Sequence, residues 1–207
     1  IALYGSEEAW ADVTRARLAE WNFNTLGGWS DAELFDRDIP FAPVLYLSGA
    51  DWQYGIVPDF WDEAFYERVE QNTNVCEDLA DEPNLLGYYI DNEMRWGLDP
   101  RRFADLFTDY LGLPPGAPGK LELQAWLEER YDGDLFNFNR YYGMELRSWG
   151  QFQKVMKVSP VPRSERQADD REAWVGYVAD HFFAVTTAAI RAKDPNHLVL
   201  GARFISW

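Results

Sequence analysis

An α/β fold with a parallel sheet is predicted by three observations. Apolar segments of strand length alternate with stretches of helical periodicity along the 207 residues. These segments read as near-continuous apolar runs, the pattern of strands covered on both faces. They also end abruptly in Gly, Asp, Asn or Trp, and Leu85 to Ile90 running straight into Asp91, Asn92 and Glu93 is the sharpest case.

The elements follow in order. Ser6 before Glu7 and Glu8 is a helix start, the hydroxyl capping free N–H groups and the acids facing the positive dipole end. Trp10, Val13, Leu18 and Trp21 then fall on one helical face. A short strand, Phe23 to Leu26, leads into Gly27-Gly28-Trp29-Ser30-Asp31, where two glycines permit a tight turn and Trp29 projects. A second strand, about Ala42 to Leu47, ends in Ser48-Gly49-Ala50-Asp51-Trp52, and a helix over about Trp61 to Leu79 follows. The strand ending at Asp91 comes next, set off upstream by Asp81-Glu82-Pro83-Asn84. After it lies an excursion of about 100 residues, far beyond an ordinary βα connection. Helices are expected there over Arg101 to Leu111, Leu121 to Tyr131, Leu135 to Leu146 and Ala168 to Lys193, with breaks at LGLPPGAPGK and at Pro160 and Pro162. Asp194-Pro195-Asn196 stops the last helix before a fourth strand, His197 to Ala202, which ends in Arg203.

A complete (β/α)8 TIM barrel takes about 250 residues. Strands so few, with so large an insertion, predict part of such a barrel, one domain over residues 1–207. Half a barrel leaves strand edges unpaired, so this stretch by itself is expected to be unstable or to associate, and to be inactive.

Composition narrows the partners. With 47% hydrophobic and 26% charged residues the chain is of globular type. No apolar run approaches the roughly 20 residues that span a bilayer, and the opening IALYGSEEAW lacks the basic and apolar regions of a signal peptide. A secreted or periplasmic location is compatible with this. Cys76 stands alone, which excludes a disulfide framework and a cysteine metal site and predicts a small buried hydrophobe. A formal charge of −16 repels nucleic acid and anionic membranes, so a neutral carbohydrate is the better partner. The same acidity also serves solubility. Ten Trp is a large number for this length; flat rings stack on sugars, and they also fill cores.

In parallel α/β proteins, side chains at the carboxyl ends of strands converge on the active site. Glycosidic cleavage needs an acid that protonates the leaving oxygen and a second carboxylate that attacks or activates water. Glu93 is the acid/base candidate, and Asp91 would influence it only while the strand keeps both on one face. Asn92 then points elsewhere unless the strand end distorts. Asp91, Asn92 and Glu93 read equally well as a strand-end turn capping the next helix. Trp29, Trp52 and Trp96 each follow a different strand by a few positions and could line one mouth, with Asp31 beside the first; ordinary packing competes for each Trp. Arg203 could bond a sugar hydroxyl, orient a carboxylate or make a structural salt bridge. The chain has no GxSxG, HExxH, Walker A or GxGxxG, and only His181 and His197, so neither a serine triad nor a zinc, nucleotide or dinucleotide cofactor site is predicted. Asp36/Asp38 and Asp169/Asp170 lack metal-ligand spacing and are expected as solvated surface.

WNFNTLGGWSD resembles the second-strand motif of the β-agarases of glycoside hydrolase family 50, and GYYIDNEMRWG resembles their fourth-strand motif and that of the wider clan A barrels, including the family 42 β-galactosidases. LQAWLEERYDGDLFNFNRYYG is similar to the helical segment that follows, and DPNHLVLGARF to the fifth-strand approach. The resemblance implies a barrel portion of about strands 2 to 5 with an insertion after strand 4. It implies a retaining hydrolase of galactose-containing polysaccharide or oligosaccharide, with Glu93 as acid/base and Asn92 on the sugar 2-hydroxyl, no cofactor, and a nucleophile from a seventh strand that this sequence does not contain. Asn22 departs from the family's glycine, and asparagine tolerates the positive φ required there. Three other readings remain: a catalytically silent carbohydrate-binding barrel, a β-galactosidase-type hydrolase, and an unrelated enzyme on the same architecture.

Overall fold

The computed structural model describes residues 3–35, 38–51, 53–97 and 99–204. It shows an α/β arrangement in which a small parallel sheet is backed and followed by helices. β1 (Gly87–Asn92) and β2 (Leu198–Arg203) pair in parallel, with register shifts between Tyr88 and Tyr89 and between Tyr89 and Asp91. Upstream segments join the same sheet through single parallel bridges, Leu26 to Phe41, Phe41 to Leu85 and Val44 to Tyr89. Segments adjacent in the chain are thus adjacent in the sheet. Gly87 is needed where the strands meet: it sits at φ 155°, and a Cβ there would lie 2.2 Å from the Leu198 carbonyl oxygen.

The expected strands Phe23 to Leu26 and Ala42 to Leu47 are extended segments, and neither forms a continuous ladder. Pro40 and Pro43 accept from Leu26 and Tyr89 at 2.8 and 2.9 Å but have no N–H to return. Tyr46 then interrupts the pleat with a φ of 55°. Asn22 adopts φ 62°, the left-handed backbone that asparagine tolerates.

α1 (Glu7–Glu20) starts on Ser6, whose hydroxyl accepts from the Ala9 N–H. Its apolar face is weaker than the spacing suggests: Ala11 is buried, whereas Val13 and Trp21 are exposed. The single helix expected over 61–79 is two, α2 (Glu63–Asn72) and α3 (Asn74–Leu79), because the Thr73 hydroxyl bonds back to the Val69 carbonyl at 2.8 Å and bends the chain there. α4 (Leu106–Leu111) begins five residues later than expected, capped by Asp105, since Arg101 and Arg102 are drawn into ion pairs with Asp99 and Asp109. α5 (Pro118–Arg130) opens on a proline at its first position, which needs no N–H there. α6 (Leu135–Tyr142) stops before Leu146 because Gly143 turns left-handed. α7 (Glu165–Lys193) starts at the Ser164 cap and is about 43 Å long at 1.5 Å per residue.

α7 is the spine of the helical excursion between β1 and β2. Its buried face, Trp174, Val178, Phe182, Thr186 and Ile190, packs on α2, α3, α4 and α6. Trp174 meets Tyr110 edge-on and Trp126 in a T-shape, and Phe138 stacks on Tyr142. Aromatic supply is therefore used chiefly inside. Cys76 is buried as expected, and burial pushes its thiol up to about 11.

Two buried carboxylates lock this scaffold. Asp170, expected on the surface with Asp169, is instead 0% exposed and accepts from Arg130 Nε at 2.7 Å and from the Tyr131 and Tyr142 hydroxyls at 2.7 and 3.0 Å. Adjacent helical residues point about 100° apart, so one of an acidic pair faces inward. Asp194 joins β1 to the turn before β2, accepting from the Tyr88 hydroxyl at 2.7 Å and from the Asn196 and His197 N–H groups. Burial pushes the Asp194 carboxyl up, but bonds from the Tyr88 and His197 side chains and those two N–H groups together hold it below the usual carboxylate range.

Asp170→Ala should cost about 3–5 kcal/mol in urea unfolding, because it leaves two buried hydroxyls and the partly exposed Arg130 guanidinium without their carboxylate, while Asp169→Ala stays within about 0.5 kcal/mol. Equal effects of the two would refute the inward assignment. A carboxyl depressed on folding contributes stability above its unfolded value of about 4 and loses it as pH falls through the folded value. Asp194→Asn should therefore unfold at lower urea than the parent at pH 7, with the gap narrowing below pH 4; a gap that does not depend on pH would contradict this.

Candidate functional site

β1 carries Asp91 and Asn92 to one end of the sheet, with Glu93 directly after it, and β2 brings Arg203 alongside. With Trp29, Tyr46 and Ala50 they line a groove of about 500 Å³. Trp29 reaches it because Gly28 lies flat on the sheet; a Cβ on Gly28 would stand 2.5 Å from Val44 Cγ2.

Asp91 is the structural member. It is 4% exposed, and its two oxygens accept from the Ser48 N–H at 2.7 Å and the Asn92 N–H at 2.8 Å. Ser48 is thereby tied to the end of β1, which fixes one wall of the groove.

Glu93 leaves the strand by a left-handed turn at φ 50°. Its N–H donates to the Arg203 carbonyl at 2.7 Å, and its own carbonyl accepts from Arg101 Nη2 at 3.1 Å. Arg101 is steadied in turn by Asp99, whose carboxyl its hydrogen bond holds down at about 2. The turn and the register shift before Asp91 settle the parity question raised by the sequence. Asn92 and Glu93 both meet Arg203, Asn92 Oδ1 accepting from Nη1 at 2.9 Å and Glu93 Oε1 forming an ion pair with the same nitrogen. Glu93 is in a salt bridge, then, but one inside the groove. Since Oδ1 of Asn92 is taken, its amide donors are left for a ligand.

Arg203 also lies over the Trp29 ring, 5.2 Å from its centroid, and the Trp29 indole N–H donates to the Tyr46 hydroxyl at 2.8 Å. Three different segments are thus linked at one mouth. The chain beyond the site is anchored by Arg95, 3% exposed, which bonds the Gly55 and Ala104 carbonyls and pairs with Asp109.

Glu93, Asn92, Asp91, Trp29 and Arg203 are therefore brought together as the sequence suggested. Two expectations are corrected. Asp31 caps the short 3-10 helix Ala32–Leu34 through the Glu33 N–H and borders a separate depression with Glu7 and Trp10. Trp96 packs inward against Phe182 and Phe183, since the chain turns back into the core after Met94. Trp52 and Asp36 lie outside the described residues, and Asp38 is exposed as expected. Sequence reasoning missed Tyr46 and Ala50. Nothing local marks Tyr46, because a tyrosine in a strand-like run gives no sign of a left-handed backbone.

His197 is bound to Asp194 and to the Glu82 carbonyl, and His181 stacks on Trp61 at 4.4 Å, so neither histidine belongs to the groove. Among the described residues no three His, Cys, Asp or Glu side chains converge as metal ligands would.

No protein-family model matches the chain. It is 30% identical to the β-agarase A of Vibrio sp. (strain JT0107) over 232 residues, which take in 100% of this chain and 23% of that protein. Among solved structures, an exo-β-agarase superposes with a TM-score of 0.81 at 28% identity, over 97% of this chain and 29% of that one. The structure titled PfGH50B gives a TM-score of 0.83 at 28% identity, over 97% of this chain and 31% of that one. The chain thus spans under a third of each relative's length.

A non-glycine residue in the left-handed region costs of order 1 kcal/mol and persists where its surroundings impose it. Glu93→Gly should accordingly raise stability by about 1 kcal/mol, as the partly exposed Arg203 pair that it removes is worth little. A lower urea midpoint would show that the ion pair outweighs the backbone cost.

Proposed function

We propose that the protein is a retaining glycoside hydrolase of agarose or related galactose-containing polysaccharide, with Glu93 as general acid/base and this chain forming part of a (β/α)8 barrel of the clan A type. Similarity to β-agarases over the full chain supports the substrate class, and the geometry supports the role of Glu93. The observation that carries it is the Glu93 carboxyl beside Asn92 in a groove that the exposed Trp29 indole also lines.

Each groove residue then has a task. The Trp29 ring, 58% exposed, offers an apolar face to a sugar. Asn92 donates its amide N–H to a sugar hydroxyl. Arg203 occupies Glu93 Oε1 and leaves Oε2 to deliver a proton to the glycosidic oxygen and later to take one from water. The other carboxylate in the groove, Asp91, has both oxygens bound by N–H groups, which suits a scaffold role and not attack. The nucleophile of retention, about 5–5.5 Å from the acid/base, is assigned outside this chain. Four adjacent parallel segments, the later ones separated by α-helices and the first two by the short 3-10 helix Ala32–Leu34, are consistent with the barrel portion.

Glu93→Gln in the whole protein should lower kcat on agarose and agaro-oligosaccharides by about 10²–10⁴-fold with the fold intact. Near-parental turnover would reject the acid/base role. Turnover confined to aryl galactosides would replace the agarase reading with a galactosidase one.

A further inference from the structure

The groove contains a second strained residue, Tyr46, at φ 55°. A bulky side chain in the left-handed region is rare and persists only when its neighbours over-determine it. Here they do. The Leu45 and Leu47 N–H groups on either side bond the Tyr89 and Ile90 carbonyls at 2.9 and 3.1 Å. From α2, the last residue, Asn72, donates Nδ2 to the Leu45 and Tyr46 carbonyls at 3.2 and 3.1 Å. The conformation places Tyr46 on the wall of the groove that Glu93 also lines, where it is 47% exposed.

Its hydroxyl has a defined polarity. An indole nitrogen is a donor only, so the 2.8 Å contact makes the Tyr46 oxygen the acceptor from Trp29. The phenolic proton is then free to be donated, and the groove is where an acceptor can meet it.

We infer that Tyr46 is a specificity-determining residue of this groove, donating its hydroxyl proton to an oxygen of the bound saccharide while holding the Trp29 ring against the same sugar, and that Asn72 is a positioning residue acting through Tyr46. The inference rests on the saccharide reading of the groove. It gives α2 a reason to carry Asn72 on its final turn, where the side chain serves two carbonyls of the neighbouring segment and not its own helix.

The test uses the inactive Glu93→Gln protein so that binding is read without turnover. Calorimetry with an agaro-oligosaccharide should show Tyr46→Phe weakening binding about tenfold, the loss of one hydrogen bond to the ligand and of the Trp29 anchor. Asn72→Ala should weaken it by a similar factor, and should add nothing on top of Tyr46→Ala, a dependence that a merely structural role would not produce. In the active protein both changes should raise KM more than they lower kcat. Unchanged binding by Tyr46→Phe, or an Asn72→Ala effect that persists without the Tyr46 ring, overturns the inference. If the Glu93→Gln protein binds no agaro-oligosaccharide at all, the saccharide reading itself has failed.

Discussion

The bond from the Glu93 N–H to the Arg203 carbonyl is the last rung of the parallel pairing, and the groove depends on it. Because it forms after β1 has ended, Glu93 is held to β2 while its backbone turns left-handed. The same arginine that accepts this bond returns its side chain to Glu93 and Asn92. Backbone and side chain of one residue thereby fix both the position of a carboxyl and the orientation of an amide. A carboxyl on an ordinary strand continuation would lack this double hold.

Around that rung the walls are set by side chains whose polar atoms are bound within the protein. Asp91 spends its charge on two N–H groups and so ties segment 45–50 to β1. Asn72 braces the strained Tyr46 carbonyl, and Arg95 fastens the exit of the chain to the loop before α4. Each is a polar group satisfied in place, which is the condition for keeping such groups away from water. The long helical excursion between β1 and β2 supplies mass behind them. Its helices close on an aromatic core with Trp174 at its middle and a fully buried Asp170 bonded from three sides.

Much of the architecture was legible because strong local signals coincide. Ser6 and the acids after it, the prolines around 114–118, and Asp194-Pro195-Asn196 place helix ends through capping and the lost N–H of proline, and those ends lie where expected to within a few residues. Where expectation erred, a tertiary partner had overridden a local preference. Arg101 and Arg102 have good helical propensity yet serve Asp99 and Asp109. Thr73 sits in a helical run yet splits it through its own hydroxyl. Asp169 and Asp170 are indistinguishable as letters, and only the rotation of α7 decides which is buried.

The sequence alone determined that polar residues crowd the end of an apolar strand, because the run Leu85 to Ile90 stops in Asp-Asn-Glu, and it offered Trp29 and Arg203 at the ends of neighbouring strands as candidates to join them. Tertiary structure decided which of these face the groove. Asp31 and Trp96 are diverted to a cap and to the core, and Tyr46 is recruited, because the direction of a side chain depends on backbone torsions imposed by partners distant in the chain. Left-handed turns at Glu93 and Tyr46 are such torsions, and neither residue carries a preference for them that its letter could reveal.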